Sequence, residues 1–203
     1  MKIVLASRNK HKIKEIKAVL ASCGMENIEL LSLDDIGYEG EIDEYGTTFE
    51  QNAAIKASVP ASYGYIGIAD DSGLEVEALD GKPGVYSARY AGEPCNDANN
   101  NKKLISELNK TESSNRKAHF VSVIALVDPD KPENNFTVRG ICEGEIIDTP
   151  RGNDGFGYDP HFYIPSLDKT YAEITTEEKN AISHRGKSMR LFAAKLKELY
   201  PNV

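Results

Sequence analysis

The sequence predicts an α/β fold, an elongated central mixed β-sheet flanked by helices, and three observations carry that reading. Short apolar runs alternate with segments of helical period through the first third of the chain. Two long β-rich runs, residues 118–127 and 136–147, are separated by the turn-rich stretch 128–135. A last amphipathic segment, residues 183–200, ends the chain as a helix. Interleaved strands and helices imply α/β layering, and the two long neighbouring runs extend the sheet toward a second lobe. At 203 residues, the chain reads as one domain, residues 1–203, of two intimate lobes.

The elements follow in order. Residues 2–6 (Lys-Ile-Val-Leu-Ala) are a short buried strand. Residues 10–23 form a helix with Ile13, Ile16, Val19, Leu20 and Cys23 on one stripe, capped by Ser7 or Asn9 and ended by Gly24. Residues 29–31 are a second strand, followed by an acidic loop to Gly46. Thr47 or Thr48 opens a helix to about residue 59, and Thr47 with Glu50 has the capping-box spacing. Residues 65–69 and 74–79 read as two strands joined by an Asp-Asp-Ser-Gly turn. A turn at 81–84, a polar-faced helix at 96–109 and a glycine-rich loop at 152–160 complete the middle. In the last helix Leu191, Phe192, Ala194, Leu196 and Leu199 are available for burial.

Composition narrows the function. The chain is 40% hydrophobic and 28% charged, near the globular average. No apolar run approaches the 18 residues a transmembrane helix needs, and the apolar start is too short for a signal peptide. Cys23, Cys95 and Cys142 form neither a disulfide framework nor a close-spaced metal site, so a reduced cytoplasmic setting is expected. The net charge of −8 argues against a nucleic-acid partner, which needs a broad positive surface. The charge is uneven, however. Residues 1–17 and 179–197 each hold six lysines and arginines, and residues 34–44 hold six carboxylates. Solvated helix faces account for such segments, as does convergence on a small polyanion and its metal.

Five segments carry chemistry. Ser7-Arg8-Asn9-Lys10-His11-Lys12 lies between a strand and a helix, where backbone N–H groups and the dipole favour an anion. It lacks the glycines of a P-loop. Asp70-Asp71-Ser72-Gly73 ends an apolar strand, so its carboxylates face opposite ways: one reaches a ligand and the other braces the turn. Such an Asp can hold Mg²⁺ or orient water, although turn formation alone also accounts for the motif. Glu44 precedes a helix on which Asn52 and Lys56 share a face. In Gly155-Phe156-Gly157-Tyr158-Asp159-Pro160, an aromatic ring between glycines suits stacking on a flat base. Lys179, with His184 and Arg185 at a helix start, presents hydrogen-bond donors.

In order and spacing, these blocks and Gly84-Val85-Tyr86-Ser87-Ala88-Arg89-Tyr90 make the chain resemble the inosine triphosphate pyrophosphatase family, the dITP/XTP pyrophosphatases, over nearly its full length. The resemblance implies Mg²⁺-dependent cleavage of ITP, dITP and XTP to monophosphate and pyrophosphate by a homodimer with a substrate cleft between two lobes. It implies that Ser7, Arg8, Asn9, Lys10, His11 and Lys12 hold phosphates, and that Glu44 and Asp71 serve the metal, Asp71 also taking the water proton. Asn52, Lys56 and Ser72 would touch the nucleotide, and Phe156 would stack on the base. Gly157, Tyr158, Asp159, Lys179, His184 and Arg185 would complete the base and sugar pocket. Two departures stand out: Arg8 and Asp154 occupy positions where many relatives have glycine. One rival, a regulator that binds nucleotide without turnover, needs neither Glu44 nor Asp71; a second, a nucleic-acid-binding module, is disfavoured by the net charge of −8 and the absence of Trp.

Overall fold

The computed structural model describes residues 1–8, 10–25 and 27–201. Its strands are β1 (Lys2–Leu5), β2 (Glu29–Leu31), β3 (Ile66–Val76), β4 (Lys117–Val127), β5 (Phe136–Ile146), β6 (Phe162–Ile164) and β7 (Lys169–Thr170). Its α-helices are α1 (Lys10–Ser22), α2 (Phe49–Ser62), α3 (Asp97–Leu108), α4 (Thr176–Ile182) and α5 (His184–Leu199). The sheet order is β2-β1-β3-β4-β5-β6-β7. β1 runs parallel to β2 and β3, whereas β6 is antiparallel to β5 and β7, so the sheet is mixed as expected.

The chain divides into two compact units. The first comprises Met1–Asp71, Val123–Gly140 and Lys187–Val203, and the second Ser72–Ser122 and Ile141–Gly186. In the first, Ile16 and Leu20 of α1 and Met189, Phe192, Ala193 and Leu196 of α5 pack with Ile3, Leu5 and Ile68. Each of the larger side chains, fully buried, contributes about 1.5–3 kcal/mol. Within α5, however, Leu191 and Ala194 point to solvent, and Met189 and Ala193 take the core positions expected of them. The second unit centres on Phe120, Phe162 and Tyr171, whose ring centroids lie 4.6 to 5.6 Å apart, with Leu104 and Leu108 of α3 in the same core.

Two local expectations are corrected. Asp70-Asp71-Ser72-Gly73 is not a turn but the middle of an unbroken eleven-residue β3. Local turn chemistry yields here because each carboxylate finds a lysine, as described below. The cap of α2 is Thr48, whose hydroxyl accepts from the Gln51 N–H at 3.2 Å. Gln51 Oε1 in turn accepts from the Thr47 N–H at 2.8 Å, so Thr47 and Glu50 do not form the box. Thr175 and Glu178 form one instead, at the start of α4.

Gly67 sets how closely α2 approaches β3. A Cβ there would lie 2.0 Å from the Ala57 carbonyl oxygen, so any other residue would push the helix away. That contact fixes the neighbouring Lys56 relative to the strand that carries Asp71.

Candidate functional site

In the first unit, α2 and β3 bring together four of the expected residues. Lys56 Nζ donates to Glu44 Oε1 at 3.1 Å and to Asp71 Oδ1 at 2.8 Å. The Lys56 and Asp71 side chains are only 12% and 11% exposed. Asn52, one turn before Lys56, accepts from the Gly46 N–H at 2.8 Å through Oδ1, which anchors the loop after Glu44. Among the described residues, Asp71 Oδ2 and Asn52 Nδ2 are buried without a hydrogen-bond partner.

The electrostatics follow from this packing. Burial pushes the Asp71 carboxyl above the usual aspartate value, and the opposing pull of Lys56 does not cancel it; the Glu44 charge adds to the rise and the nearby Asn52 amide lowers it. For Lys56 burial is also the largest influence and works downward. The combined attraction of Asp71 and Glu44 outweighs it, so the ammonium is held above its ordinary range. The result is a cationic bridge between two carboxylates, one of which keeps a buried oxygen with no donor.

Strand alternation sends the preceding carboxylate to a different helix. Lys12 Nζ of α1 donates to both oxygens of Asp70, at 2.9 and 2.8 Å. Asp70 was expected only to brace a turn; its actual role is to fix the Lys12 ammonium. The sequence does contain the signal, because Asp-Asp in a strand puts one carboxylate on each face. Ser72 follows in the same strand and is half-buried.

The other residues of the first segment divide. The Ser7 N–H donates to the Leu5 carbonyl oxygen at 2.7 Å, which makes the sharp exit from β1. Arg8 turns to the acidic loop: Nε donates to Asp34 Oδ1 at 3.0 Å, and Nη2 to the carbonyl oxygens of Tyr38 at 2.6 Å and Gly40 at 3.0 Å. The Arg8 guanidinium thus gives Nε and Nη2 to protein acceptors. Asn9 and the side chains of Lys10 and His11 lie outside the described residues.

In the second unit the glycine–aromatic loop is built around Asp159, a carboxylate only 3% exposed. Lys179 Nζ pairs with its Oδ2 at 2.5 Å, and the Phe156 N–H donates to the same oxygen at 2.9 Å. Gly155 has φ +82°, and a Cβ there would sit 2.2 Å from Asp159 Oδ2, so glycine is required on both counts. The Gly157 N–H donates to Asp97 Oδ2 at 2.7 Å, and its carbonyl accepts from Asn101 at 2.8 Å. Tyr158 is buried, and its hydroxyl donates to the Ser87 carbonyl at 2.8 Å. The outcome is a loop tied down on all sides except at Phe156, whose ring is 67% exposed. Asp154 is exposed, and its backbone N–H reaches the Ala172 carbonyl at 3.3 Å.

Lys179 Nζ also lies 5.1 Å from the centre of the Phe156 ring and 4.9 Å from that of Tyr171. His184, the first residue of α5, stacks on Phe120 at 4.9 Å and 16°, with Tyr171 at 6.4 Å. Arg185 follows, half-buried. Sequence reasoning missed Asp97, Asn101 and Tyr171. Each supports the loop from a distant element, and nothing local in the sequence marks it.

Fold and site define an α/β protein in which lysine-held carboxylates line one strand and a braced loop presents an aromatic ring. The chain belongs to the Ham1 family, whose model matches residues 3–195. It is 46% identical to a protein of Clostridium perfringens over 97% of each chain, and 49% identical to one of Leuconostoc mesenteroides over 97% of this chain and 96% of the other. Both are named dITP/XTP pyrophosphatase. Among solved structures, a HAM1 protein from Coxiella burnetii is similar with a TM-score of 0.91 and 41% identity, over 98% of this chain and 99% of that one.

Proposed function

We propose that this protein hydrolyses the non-standard purine nucleoside triphosphates ITP, dITP and XTP to the monophosphate and pyrophosphate, which keeps deaminated purines out of DNA and RNA. The names of its relatives support the substrate class. The observation that carries the chemistry is Asp71: one oxygen on Lys56, the other buried with no donor. The reaction is attack of water on the α-phosphorus with pyrophosphate leaving, which needs positioning and charge stabilisation more than covalent help.

Glu44 and Asp71 fit a Mg²⁺ ion. They are hard oxygen donors drawn together on one ammonium, and the orphaned Asp71 Oδ2 lacks the partner that a buried carboxylate oxygen needs. Two protein carboxylates with the remaining places left to water and phosphate is the usual Mg²⁺ pattern. When bound, the ion offsets the triphosphate charge and polarises it.

The chain's own residues do the rest. Asp71 orients the water and takes its proton, and burial, which holds its carboxyl above the ordinary aspartate value, strengthens it as a base. Lys12, held by Asp70, presents a positioned cation to the phosphates, together with the N–H groups at the start of α1. Lys56 and Asn52 face the same ligand, and Ser72 follows them on β3. Phe156 stacks on the base, and Gly157, Tyr158, Asp159 and Lys179 hold that ring in place. His184 and Arg185 donate to the 6-oxo group of hypoxanthine or xanthine. Adenine presents a donor at that position, and such a buried mismatch discriminates by ~10⁴-fold or more.

A homodimer and a cytoplasmic location belong to the same proposal. The resemblance supports the first, and three free thiols support the second. Pyrophosphate release from ITP, dITP, XTP, GTP and ATP, with and without Mg²⁺, tests the whole. Release from the first three that depends on Mg²⁺ is the expected result. Tight binding of ITP with no release would leave a regulator in its place.

A further inference from the structure

We infer that Arg8 is a positioning residue: its guanidinium folds the acidic segment and so sets where Glu44 stands, rather than binding phosphate. The inference rests on the proposed function for what Glu44 does, but the clamp stands on geometry alone. Three hydrogen bonds, to Asp34 Oδ1 and to the carbonyl oxygens of Tyr38 and Gly40, gather residues 34–40 around one side chain. The guanidinium carbon also lies 5.8 Å from the centre of the Tyr38 ring, and the Tyr38 hydroxyl donates to the Glu41 carbonyl at 3.0 Å. Gly40 lies under the same ring, where a Cβ would come within 2.8 Å of the Tyr38 hydroxyl oxygen.

Ring packing contributes through the edge-to-face contact of Tyr38 with Tyr63, centroids 6.1 Å apart, but regular structure does not hold the segment. Residues 38–46 contain no helix or strand, and between this segment and α2 lies a cavity of about 310 Å³ lined by Tyr38, Ile42, Tyr45, Ile55 and Val59 among others. An irregular segment beside an open groove unfolds locally at lower cost than a helix or strand unless polar contacts hold it. At its far end the Lys56 and Asn52 contacts fasten Glu44 and Gly46. At its near end the Ser32–Asp35 bonds are local, and Arg8 adds a fastener from a distant part of the chain. Arginine suits the task because a planar fork serves several acceptors at once, which the lysine ammonium does not reproduce.

Supporting residues of this kind, when removed, typically cost about 10–100-fold in metal affinity or activity. The test compares Arg8→Ala, Arg8→Lys and Asp34→Ala in the full-length protein. Direct Mn²⁺ titration by electron paramagnetic resonance, without nucleotide, should show affinity falling by about tenfold in Arg8→Ala and in the same direction in Asp34→Ala. Arg8→Lys should recover little. Glu-C cleavage after Glu39 and Glu41, located by mass spectrometry, should accelerate in parallel. The KM for ITP at saturating Mg²⁺ should change less than about threefold, a shift below ~0.65 kcal/mol.

A phosphate ligand would behave differently. Arg8→Ala would then raise KM with Mn²⁺ affinity and cleavage unchanged, and Asp34→Ala, which frees the guanidinium, would leave KM equal or lower it. That pattern overturns the inference. If the wild-type protein releases no pyrophosphate from any nucleotide, the proposed function fails, whereas Mn²⁺ affinity and cleavage still decide the role of Arg8.

Discussion

The two units hold their candidate functional groups in different balances of ion pairing and loop geometry. In the first, charged side chains stand on β3, α1 and α2 and, for Glu44, on the loop before α2, and ion pairs fix them: Lys12 on Asp70, and Lys56 on Asp71 and Glu44. In the second, the candidate groups lie on an irregular loop and on α4 and α5. The loop is fixed by glycine geometry, by the Lys179–Asp159 pair, and by backbone hydrogen bonds in which Asp97 and Asp159 accept and Asn101 donates. The ion pairs keep charge available at a partly buried place. The loop instead keeps one ring exposed while everything around it is tied down. A cluster of the first kind suits chemistry that develops charge, and a platform of the second kind suits recognition of a flat, uncharged surface.

Substitutions in the two regions should therefore fail differently, and Asp71→Asn has the largest expected effect. It keeps the shape of the side chain and removes the base, so kcat should fall by roughly 10²–10⁴-fold while the folded state persists by circular dichroism. Near-parental turnover would end the assignment. Phe156→Ala should do the converse. Loss of one base–aromatic stack costs about 1–3 kcal/mol, read as a raised KM for ITP at nearly constant kcat, with the melting temperature unchanged because the ring is exposed. A drop in kcat with an unchanged KM would erase the division of labour drawn above.

Gly155→Ala sharpens the contrast on the side of stability. The added methyl meets Asp159 Oδ2 in a left-handed backbone, and a cost of about 1–3 kcal/mol is expected in urea denaturation. The same change at Gly24, also left-handed but with nothing within 4 Å, should cost about 1 kcal/mol. Equal costs at both would mean that Asp159 does not hold the loop.

The smallest effect concerns pH. Tyr200 donates to Asp128, and its pKa is pushed up to about 12, first by burial and then by that bond. A phenol raised in the folded state contributes stability that is complete below the ordinary tyrosine value of about 10 and drains as pH climbs toward 12. Tyr200→Phe should lose about 1–2 kcal/mol at neutral pH. Its urea midpoint should then decline less than the parent's between about pH 10 and 12. Parallel declines would remove Tyr200 from the alkaline limb.

The reading of the sequence was most secure where the local pattern and the final environment agree. The α1 stripe, the strand at Glu29–Leu31, the long β4 and β5 and the start of α5 at His184 all emerge from periodicity and caps. It failed where a distant group reverses a local preference. Asp-Asp-Ser-Gly reads as a turn until Lys12 and Lys56 arrive from two helices to neutralise the strand's carboxylates. β6, β7 and α4 are two to seven residues long, too short for a period to declare itself.

Taken alone, the order of residues determined the α/β class, the identity of the residues that carry charge and aromatic rings, and the resemblance that joined them. Tertiary structure decided which cation meets which carboxylate: Lys12 takes Asp70, Lys56 takes Asp71 and Glu44, and Arg8 leaves the phosphate segment for the acidic loop. The physical reason is range. Periodicity and capping act over three or four residues, whereas these pairs span 12 to 58 positions, and their geometry exists only once Gly67 has let α2 settle against the sheet.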